Sequence, residues 1–230
     1  MSDLYLSGEY VEKNPTYHIE DSPFKAKQIL KMVNKHGLPN GSVCDFGCGA
    51  GEVLRQLQLR FPSETLLHGY EISPQGFALA KERENRTMKF FCEDLLSIKV
   101  PPYDLLLCVD VIEHVEDYVG LLRKLRPKGT YKIFHVPLDL SVQSVLRSTP
   151  LKVVRATVGH IHYFSKETAL MTLEDTGYEI VDWFYTPSAL ALRQDPKAKL
   201  LKWPRRIVSM ISPDLAVRIF GGYSILVLAK

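Results

Sequence analysis

Residues 43–52 read V-C-D-F-G-C-G-A-G-E, and this stretch decides the fold of the chain. A short apolar run at residues 42–44 leads into Asp45, which predicts a β-strand. Three glycines then alternate with other residues, at Gly47, Gly49 and Gly51. Apolar residues recur at helical spacing from Val53 to Phe61, so we expect a helix after the glycines. Because glycine permits positive φ and a helix begins with unpaired N–H groups, the loop is predicted to bind a ligand.

The spacing of the glycines discriminates between ligands. A dinucleotide-binding loop reads G-x-G-x-x-G, whereas this loop reads G-x-G-x-G and has Glu52 where the third dinucleotide glycine would stand. Carboxylates at Asp45 and Glu52 suit a ligand with ammonium and sulfonium groups better than a pyrophosphate, which disfavours a nicotinamide-dependent dehydrogenase. Residues 45–51 resemble motif I of the class I S-adenosylmethionine (SAM) methyltransferases, whose core reads D-x-G-x-G-x-G. The resemblance implies SAM as cofactor and S-adenosylhomocysteine as its product, and an ordinary tight turn is the alternative.

The rest of the chain alternates predicted strands and helices. Strands are predicted over residues 42–46, 66–71, 88–92, 103–109, 130–136, 178–185 and 224–229. Helices are predicted from Ser22 as N-cap to Gly37, after the glycine loop, and over about residues 74–84, 115–125 and 165–177. This alternation favours a parallel sheet with helices on both faces. The order resembles the methyltransferase fold, which implies a three-layer, Rossmann-like α/β sandwich. Its seven-stranded sheet would be mostly parallel, with an antiparallel last strand between strands five and six.

Three segments interrupt or precede this alternation within the single domain that we expect over residues 1–230. They cover about residues 1–37, 137–163 and 187–222. In the fold that the order resembles, all three reach the carboxyl ends of the parallel strands, where open α/β sheets bind ligands. We expect these helical caps to cover the substrate, and decoration by packing is the alternative.

Composition and charge argue against several classes of protein. A net charge of +3 is too small to indicate nucleic-acid binding, and no apolar run is long enough to span a bilayer. Residues 1–17 have neither a basic nor an apolar stretch of the kind found in signal peptides. The four cysteines, Cys44, Cys48, Cys92 and Cys108, lie in or beside predicted strands. We expect them to be reduced and buried in a cytoplasmic protein.

A basic, aromatic run lies within the last cap, at residues 197–211, and includes Trp203, Arg205 and Arg206. Such a run can make a peripheral membrane contact or bind an anionic acceptor. A solvated helix face above a packed apolar face is the alternative.

Acidic residues at the ends of the strands predict the cofactor contacts. Glu71 follows an apolar strand twenty residues after Gly51, where a carboxylate can accept both ribose hydroxyls of a nucleoside. A solvated glutamate at a strand end is the alternative. By the same resemblance, Ile72 packs on the adenine face, Asp94 binds the adenine amino group and Leu95 contacts the ring. The full set predicted to bind the cofactor is Asp45, Phe46, Gly47, Cys48, Gly49, Gly51, Glu71, Ile72, Asp94, Leu95, Asp110 and Val111.

Residues 110–115, which read D-V-I-E-H-V, end the fourth strand. They resemble the E-H signature of the small-molecule O-methyltransferases, which include the ubiquinone-biosynthesis enzymes. The resemblance covers about residues 24–136 and resumes at residues 159–165, and it does not extend to the caps. It implies that Glu113 and His114 are catalytic, with His114 as the general base for an acceptor hydroxyl. The alternative is that His114 only orients the loop or packs on the cofactor.

The same histidine also resembles part of a metal-binding pattern. Asp110, Glu113 and His114, followed by His160 and His162, are similar to the E-x-x-E-H pattern with a distant histidine in small-RNA 2′-O-methyltransferases. Oxygen and imidazole ligands suit Mg²⁺ or Mn²⁺, which would lower the pKa of an acceptor hydroxyl. The chain departs at the first ligand, because Asp110 is shorter than glutamate. We therefore favour a reaction without a metal ion.

Together these features predict a SAM-dependent methyltransferase that acts on an oxygen atom of a small or lipid-linked metabolite. Methylation of nitrogen or carbon stays open, as does a SAM-binding module without turnover. The sequence does not identify the acceptor, the pathway or the oligomeric state.

Overall fold

The computed structural model describes residues 7–187 and 207–230 of the chain. Its sheet comprises β1 (Ser42–Phe46), β2 (Leu66–Tyr70), β3 (Met88–Phe91), β4 (Tyr103–Val109), β5 (Gly129–Leu138), β6 (Ile180–Thr186) and β7 (Tyr223–Ala229). Most of the basic run at residues 197–211 lies outside the described residues, and its last part, residues 207–211, is helical.

Nine α-helices with both ends inside the described ranges surround the sheet. They are α1 (Glu9–Lys13), α2 (Ser22–His36), α3 (Glu52–Gln58), α4 (Pro74–Lys81), α5 (Tyr118–Leu125), α6 (Val142–Arg147), α7 (Thr149–Thr157), α8 (Lys166–Asp175) and α9 (Pro213–Phe220). Short 3₁₀ helices lie at Ile19–Asp21, Ile112–His114 and Arg126–Lys128. In the part of the chain that the structure describes, no helix is long and apolar enough to cross a membrane.

The strand order is β3-β2-β1-β4-β5-β7-β6. The strands β1 to β5 pair in parallel, whereas β7 runs antiparallel to both of its neighbours, β5 and β6. This order confirms the predicted Rossmann-like sheet with its antiparallel last strand between strands five and six. The order reverses between β1 and β4, so their carboxyl ends border the crevice where such sheets bind ligands.

The core has two parts, one on each face of the sheet. Neighbouring residues of a strand point to opposite faces, so Val43 packs in one apolar cluster and Cys44 in the other. The same alternation divides Leu105 from Leu106 in β4, which is nearly continuous in apolar residues because helices cover both of its faces. The three-layer sandwich predicted from the sequence therefore holds.

The first cap contains structure that the sequence did not predict. The helix α1 and the 3₁₀ helix Ile19–Asp21 form in a region without apolar periodicity. Because that 3₁₀ helix leads directly into α2, Ser22 already has helical angles (φ −61°, ψ −37°) and Asp21 occupies the N-cap. The prediction of Ser22 as N-cap was therefore wrong by one residue, whereas Gly37 ends the helix as predicted, with a φ of 56°.

Two other expectations differ from the structure. The helix predicted from residue 115 begins at Tyr118, because the Asp117 side chain accepts a hydrogen bond from the Gly120 N–H at 2.8 Å and caps α5 there. Of the four cysteines, Cys92 is exposed, because it lies just beyond the end of β3. The others are buried, and all four are free thiols.

Candidate active site

A cavity of about 620 Å³ opens at the carboxyl ends of β1, β4 and β5. Its floor is the glycine loop between β1 and α3, and its walls come from the first cap, from α7 and from the start of β7. Residues of the first two predicted caps therefore line the same cavity as the glycine loop, and the described part of the third contributes Gly222. The cavity contains many carboxylates and histidines, among them Asp45, Glu71, Asp110, Glu113, His114, His135, Asp139 and His160.

Close packing explains why two positions of the loop are occupied by glycine. Gly47 has a φ of 73°, and a Cβ atom there would lie 2.8 Å from Cγ2 of Val111. Gly51 has a φ of 76°, and a Cβ atom there would lie 2.5 Å from the Phe90 ring. A side chain at either position would clash and strain the backbone. Two backbone hydrogen bonds also fix the loop, since the N–H groups of Gly47 and Cys48 both donate to the Tyr70 carbonyl.

Glu71 joins the end of β2 to this loop. Its Oε2 accepts a hydrogen bond from the Gly49 N–H and its Oε1 accepts one from the Ser73 N–H, both at 2.8 Å. Burial raises the pKa of Glu71, and these backbone donors oppose that shift. Since each carboxylate oxygen has two lone pairs, each retains one acceptor position for a ligand hydroxyl.

Asp45 is buried at the end of β1, and its Oδ1 atom has no hydrogen-bond partner among the described residues. Burial, reinforced by the charge of Glu71, raises the pKa of Asp45 to about 8, although Lys25 opposes the shift. An orphaned buried oxygen is costly unless a ligand or water satisfies it. The site is thus suited to a ligand that brings a hydrogen-bond donor or a positive charge.

Glu52 does not contribute the free carboxylate that the sequence suggested. Its oxygens accept hydrogen bonds from Arg55 at 2.9 Å, Gln56 at 2.7 Å and Arg83 at 3.0 Å. Two arginines therefore offset its charge, and the acidic character of the loop comes from Asp45 and Glu71.

Asp110 follows β4 with a φ of 54°, which is unusual for a residue other than glycine. Lys25 of α2 lies 2.8 Å from its Oδ2, and His135 of β5 lies 2.6 Å from its Oδ1. The second ring nitrogen of His135 is 2.9 Å from the Thr186 hydroxyl. Burial alone would raise the pKa of Asp110, but His135 and Lys25 hold it below its usual range. These contacts stabilise the strained turn at the edge of the cavity.

Glu113, His114 and His160 form a second polar cluster, which we call the Glu113 cluster. Glu113 is fully buried, and neither of its side-chain oxygens has a hydrogen-bond partner among the described residues. Its Oε1 lies 3.9 Å from Nε2 of His114 and 4.0 Å from Nε2 of His160. Burial, with the nearby charge of Asp110, raises the pKa of Glu113 well above its usual range. Burial, together with His160, lowers the pKa of His114 to about 4.

Contacts at Nδ1 orient both histidine rings of the Glu113 cluster. Nδ1 of His114 lies 3.2 Å from the Gly159 carbonyl, which can only accept, so this nitrogen donates. Nδ1 of His160 lies 2.6 Å from Oδ2 of Asp139. These contacts direct both Nε2 atoms toward Glu113.

The ligand atoms of the Glu113 cluster lie within 4.8 Å of one another, so these three side chains could hold a divalent cation. The other two predicted metal ligands lie elsewhere. Asp110 is engaged by Lys25 and His135, and Nε2 of His162 donates to the Val115 carbonyl at 3.0 Å. The structure therefore brings together three of the five.

The predicted cofactor-binding residues divide into two groups. Six line the cavity: Asp45, Gly47, Cys48, Gly49, Glu71 and Asp110. Six do not line it: Phe46, Gly51, Ile72, Asp94, Leu95 and Val111. Leu95 is fully buried in the core, and Oδ1 of Asp94 accepts from the Leu96 N–H at 2.9 Å. Gly51 and Val111 instead shape the loop from outside the cavity.

Sequence reasoning missed several residues of the cavity. Tyr17 lies over the glycine loop, 3.5 Å from the position of a Cβ atom on Gly49, and its hydroxyl is 2.7 Å from the Ser73 hydroxyl. Its cap has no periodicity, so the sequence carried no signal for it. Asp139, in contrast, follows β5, and its position as an acid at a strand end could have identified it.

Comparison with known proteins agrees with this fold. A family model described as a methyltransferase domain matches residues 17–182, which is well over half of the chain. A curated relative, the ubiquinone biosynthesis O-methyltransferase of Rickettsia bellii (strain OSU 85-389), is 28% identical over 118 residues. The match covers 47% of this chain and 48% of the relative, so the chain spans about half the length of the curated relatives it matches.

Solved structures share the fold at lower identity. Magnesium protoporphyrin IX methyltransferase (ChlM) from Synechocystis PCC 6803, crystallised with bound SAH, is 18% identical with a TM-score of 0.60, over 90% of this chain and 82% of that one. The methyltransferase in a complex with the Haloferax volcanii Trm112 activator is 15% identical with a TM-score of 0.65, and the match covers 98% of this chain and 95% of that one. The chain therefore belongs to the methyltransferase domain family, in the class I, SAM-dependent group that its sheet order and glycine loop define.

Proposed function

We propose that this protein transfers a methyl group from SAM to an oxygen atom of a small or lipid-linked metabolite in the cytoplasm. One observation carries the proposal: a single cavity joins the glycine loop and Glu71 to the Glu113 cluster. The name of the Rickettsia relative supports oxygen as the acceptor atom. Methylation of nitrogen or carbon, and SAM binding without turnover, are the alternatives that the experiment below must separate.

The cofactor end of the cavity fits SAM. Glu71 has acceptor positions for two ribose hydroxyls, and the orphaned Oδ1 of Asp45 can receive a donor group of the ligand. The glycines at positions 47 and 49 leave their backbone accessible in the cavity wall. Ile72, Asp94 and Leu95 do not line the cavity and stay predicted contacts of the adenine.

The acceptor end must align a hydroxyl and remove its proton. Bound SAM supplies an electrophilic methyl group, so the chain has only to position the acceptor and provide a base. The Nδ1–H of His114 donates to Gly159, so Nε2 is the ring nitrogen that would take the proton. A pKa of about 4 keeps this imidazole neutral at neutral pH, and it also makes the imidazole a weaker base than an ordinary histidine.

If a divalent cation takes part, Glu113, His114 and His160 would hold it, and it would lower the pKa of the acceptor hydroxyl. The buried, unpartnered Glu113 carboxyl fits such a role. We nevertheless favour the reaction without a metal ion, as the sequence did, because His114 alone can serve as the base.

The experiment combines a ligand screen with a transfer assay. Thermal unfolding is measured with SAM, S-adenosylhomocysteine and NAD, and only ligands of the native state raise the melting temperature. Transfer of a radiolabelled methyl group is then followed with catechol, amine and carboxylate probes. We expect stabilisation by SAM and S-adenosylhomocysteine, and transfer to a catechol oxygen. Stabilisation by NAD alone would refute the proposal, and SAM binding without transfer to any probe would favour the module without turnover.

A further inference from the structure

Large apolar side chains are concentrated on one part of the surface. Among the described residues, eight of the twelve exposed large hydrophobic side chains lie on α6, α7, residues 207–211 and the start of α9. They are Val142, Val145, Leu146, Val153, Ile207, Met210, Ile211 and Leu215, and we call them the rim surface. Such concentration is unusual for a surface that faces only water.

The helix α6 is inverted relative to an ordinary amphipathic helix, and the helices beside it leave further large apolar side chains exposed. In α6 the buried residue is Ser144, whereas Leu146 is 80% exposed. In α9 the buried residues are Ala216 and Val217, and in the preceding helical turn Met210 is 86% exposed. A surface helix normally turns its largest apolar residues inward, so the exposed apolar side chains of α6 and of residues 207–211 suit contact with an apolar partner.

These helices are in contact with one another. The helix α6 packs against both α7 and α9. Residues 207–211 lead into α9 through Ser212, whose N–H donates to the Val208 carbonyl and whose hydroxyl accepts from the Leu215 N–H. The rim surface is therefore carried by one group of packed helices.

Positive charge accompanies the apolar residues. Residues 142–158 contain Arg147, Lys152 and Arg155 and no acid, and these three cations are exposed without an ion pair among the described residues. In the sequence, residues 188–206 add six cations and one acid. Because the whole chain has a net charge of only +3, the remainder is net negative. The excess positive charge thus lies in α6 and α7 and in a segment that precedes residues 207–211 in the sequence.

The rim surface also borders the cavity. Val153 belongs to the rim surface and also lines the cavity, and its neighbours Val154 and Thr157 in α7 line the cavity too. The same cavity contains His114 and His160. Through α7, the rim surface and the Glu113 cluster therefore border the same cavity.

We propose that the rim surface docks on an anionic lipid bilayer and so presents the cavity to a lipid-linked acceptor. Exposed apolar side chains enter the interface, and the cations beside them bind lipid phosphates. The helices are too short to span a bilayer, so the contact is peripheral. The choice of acceptor rests on the proposed function, whereas the docking itself can be tested without turnover.

The test measures binding of the full chain to vesicles by co-sedimentation at low salt. Vesicles of phosphatidylglycerol and phosphatidylcholine are compared with vesicles of phosphatidylcholine alone. We expect binding to the anionic vesicles that falls as salt is added. The double variant Leu146→Glu, Met210→Glu should bind about tenfold more weakly or worse, because it inserts charge where apolar groups enter the interface. The double variant Lys152→Glu, Arg155→Glu should lose most of the salt-sensitive component of vesicle binding.

A matched control is Leu59→Glu. Leu59 is 66% exposed and follows α3, which runs from the carboxyl end of β1 back toward the amino-end rim. This variant should bind vesicles as the wild type does. Each variant must retain the SAM affinity of the wild type by calorimetry, which shows that it is folded.

Three results would overturn the docking proposal. In the first, the wild type fails to bind anionic vesicles. In the second, the Leu146→Glu, Met210→Glu variant binds them as tightly as the wild type does. In the third, Leu59→Glu weakens binding as much as that double variant does. The first is also expected if another segment of this chain covers the rim surface. Failure of the proposed function has a different signature, since the wild type would then bind vesicles but not SAM.

Discussion

Replacement of Glu71 by alanine is the sharpest perturbation of the cofactor site. The carboxylate accepts from the backbone of Gly49 and Ser73 and has one further acceptor position on each oxygen. Its loss leaves two ribose hydroxyls without an acceptor and releases the Gly49 N–H from its place in the loop. Such losses amount to about 1–3 kcal/mol, which corresponds to a SAM dissociation constant raised about 5- to 150-fold.

Isothermal titration of SAM into the wild type and the variants measures this effect. Glu71→Gln is the matched control, because its amide oxygen retains acceptor positions while its NH₂ group faces a backbone donor. We expect this variant to bind SAM with intermediate affinity. Thermal unfolding without ligand shows whether each variant is folded. An affinity of Glu71→Ala equal to that of the wild type, in a folded protein, would refute the assignment of Glu71 to the ribose.

Three further perturbations test other parts of the site. The pKa of Asp45, raised to about 8 in the fold, means that ionisation opposes folding, so stability should fall by up to about 1.4 kcal/mol per pH unit as pH rises from about 4 to 8. Asp45→Asn should flatten this dependence in chemical denaturation of the ligand-free protein at several pH values, and an unchanged slope would contradict it. Lys25→Met should lower the free energy of unfolding by about 3 kcal/mol, because it removes the lysine that pairs with the Asp110 carboxylate, and the added Asp110→Asn change should recover part of the loss in urea denaturation. His114→Ala should reduce turnover with little change in SAM affinity. EDTA should leave the wild-type rate unchanged, whereas loss of the rate and its rescue by Mg²⁺ or Mn²⁺ would assign the Glu113 cluster to a metal ion.

Much of the fold could be predicted from local patterns. The strand Ser42–Phe46 and the strand Tyr103–Val109 form with their predicted bounds, because continuous apolar residues bounded by turns specify buried parallel strands. The capping serine of α8 was also identified, since Ser165 accepts from the Thr168 N–H as the pattern requires. Errors concern helix starts such as Ser22 and Tyr118, where a preceding 3₁₀ turn or a competing aspartate cap decides the first residue.

Less of the site could be predicted, because its geometry depends on contacts between distant segments. The sequence identified Asp110 but not Lys25 and His135, which lie 85 residues before it and 25 residues after it and hold its carboxylate. The sequence grouped Asp110 with Glu113 and the histidines, whereas the structure engages Asp110 elsewhere and places Asp139 behind His160. No local sequence pattern indicates that Lys25 pairs with Asp110 and not with Glu113.

A crystal structure of the protein with S-adenosylhomocysteine tests the central claim most directly. We predict that both ribose hydroxyls lie within about 3 Å of the Glu71 carboxylate oxygens and that the glycine loop contacts the ligand through its backbone. The sulfur should face the Glu113 cluster across the cavity. A ligand bound elsewhere, or bound with its ribose away from Glu71 and its sulfur away from His114, would contradict the account.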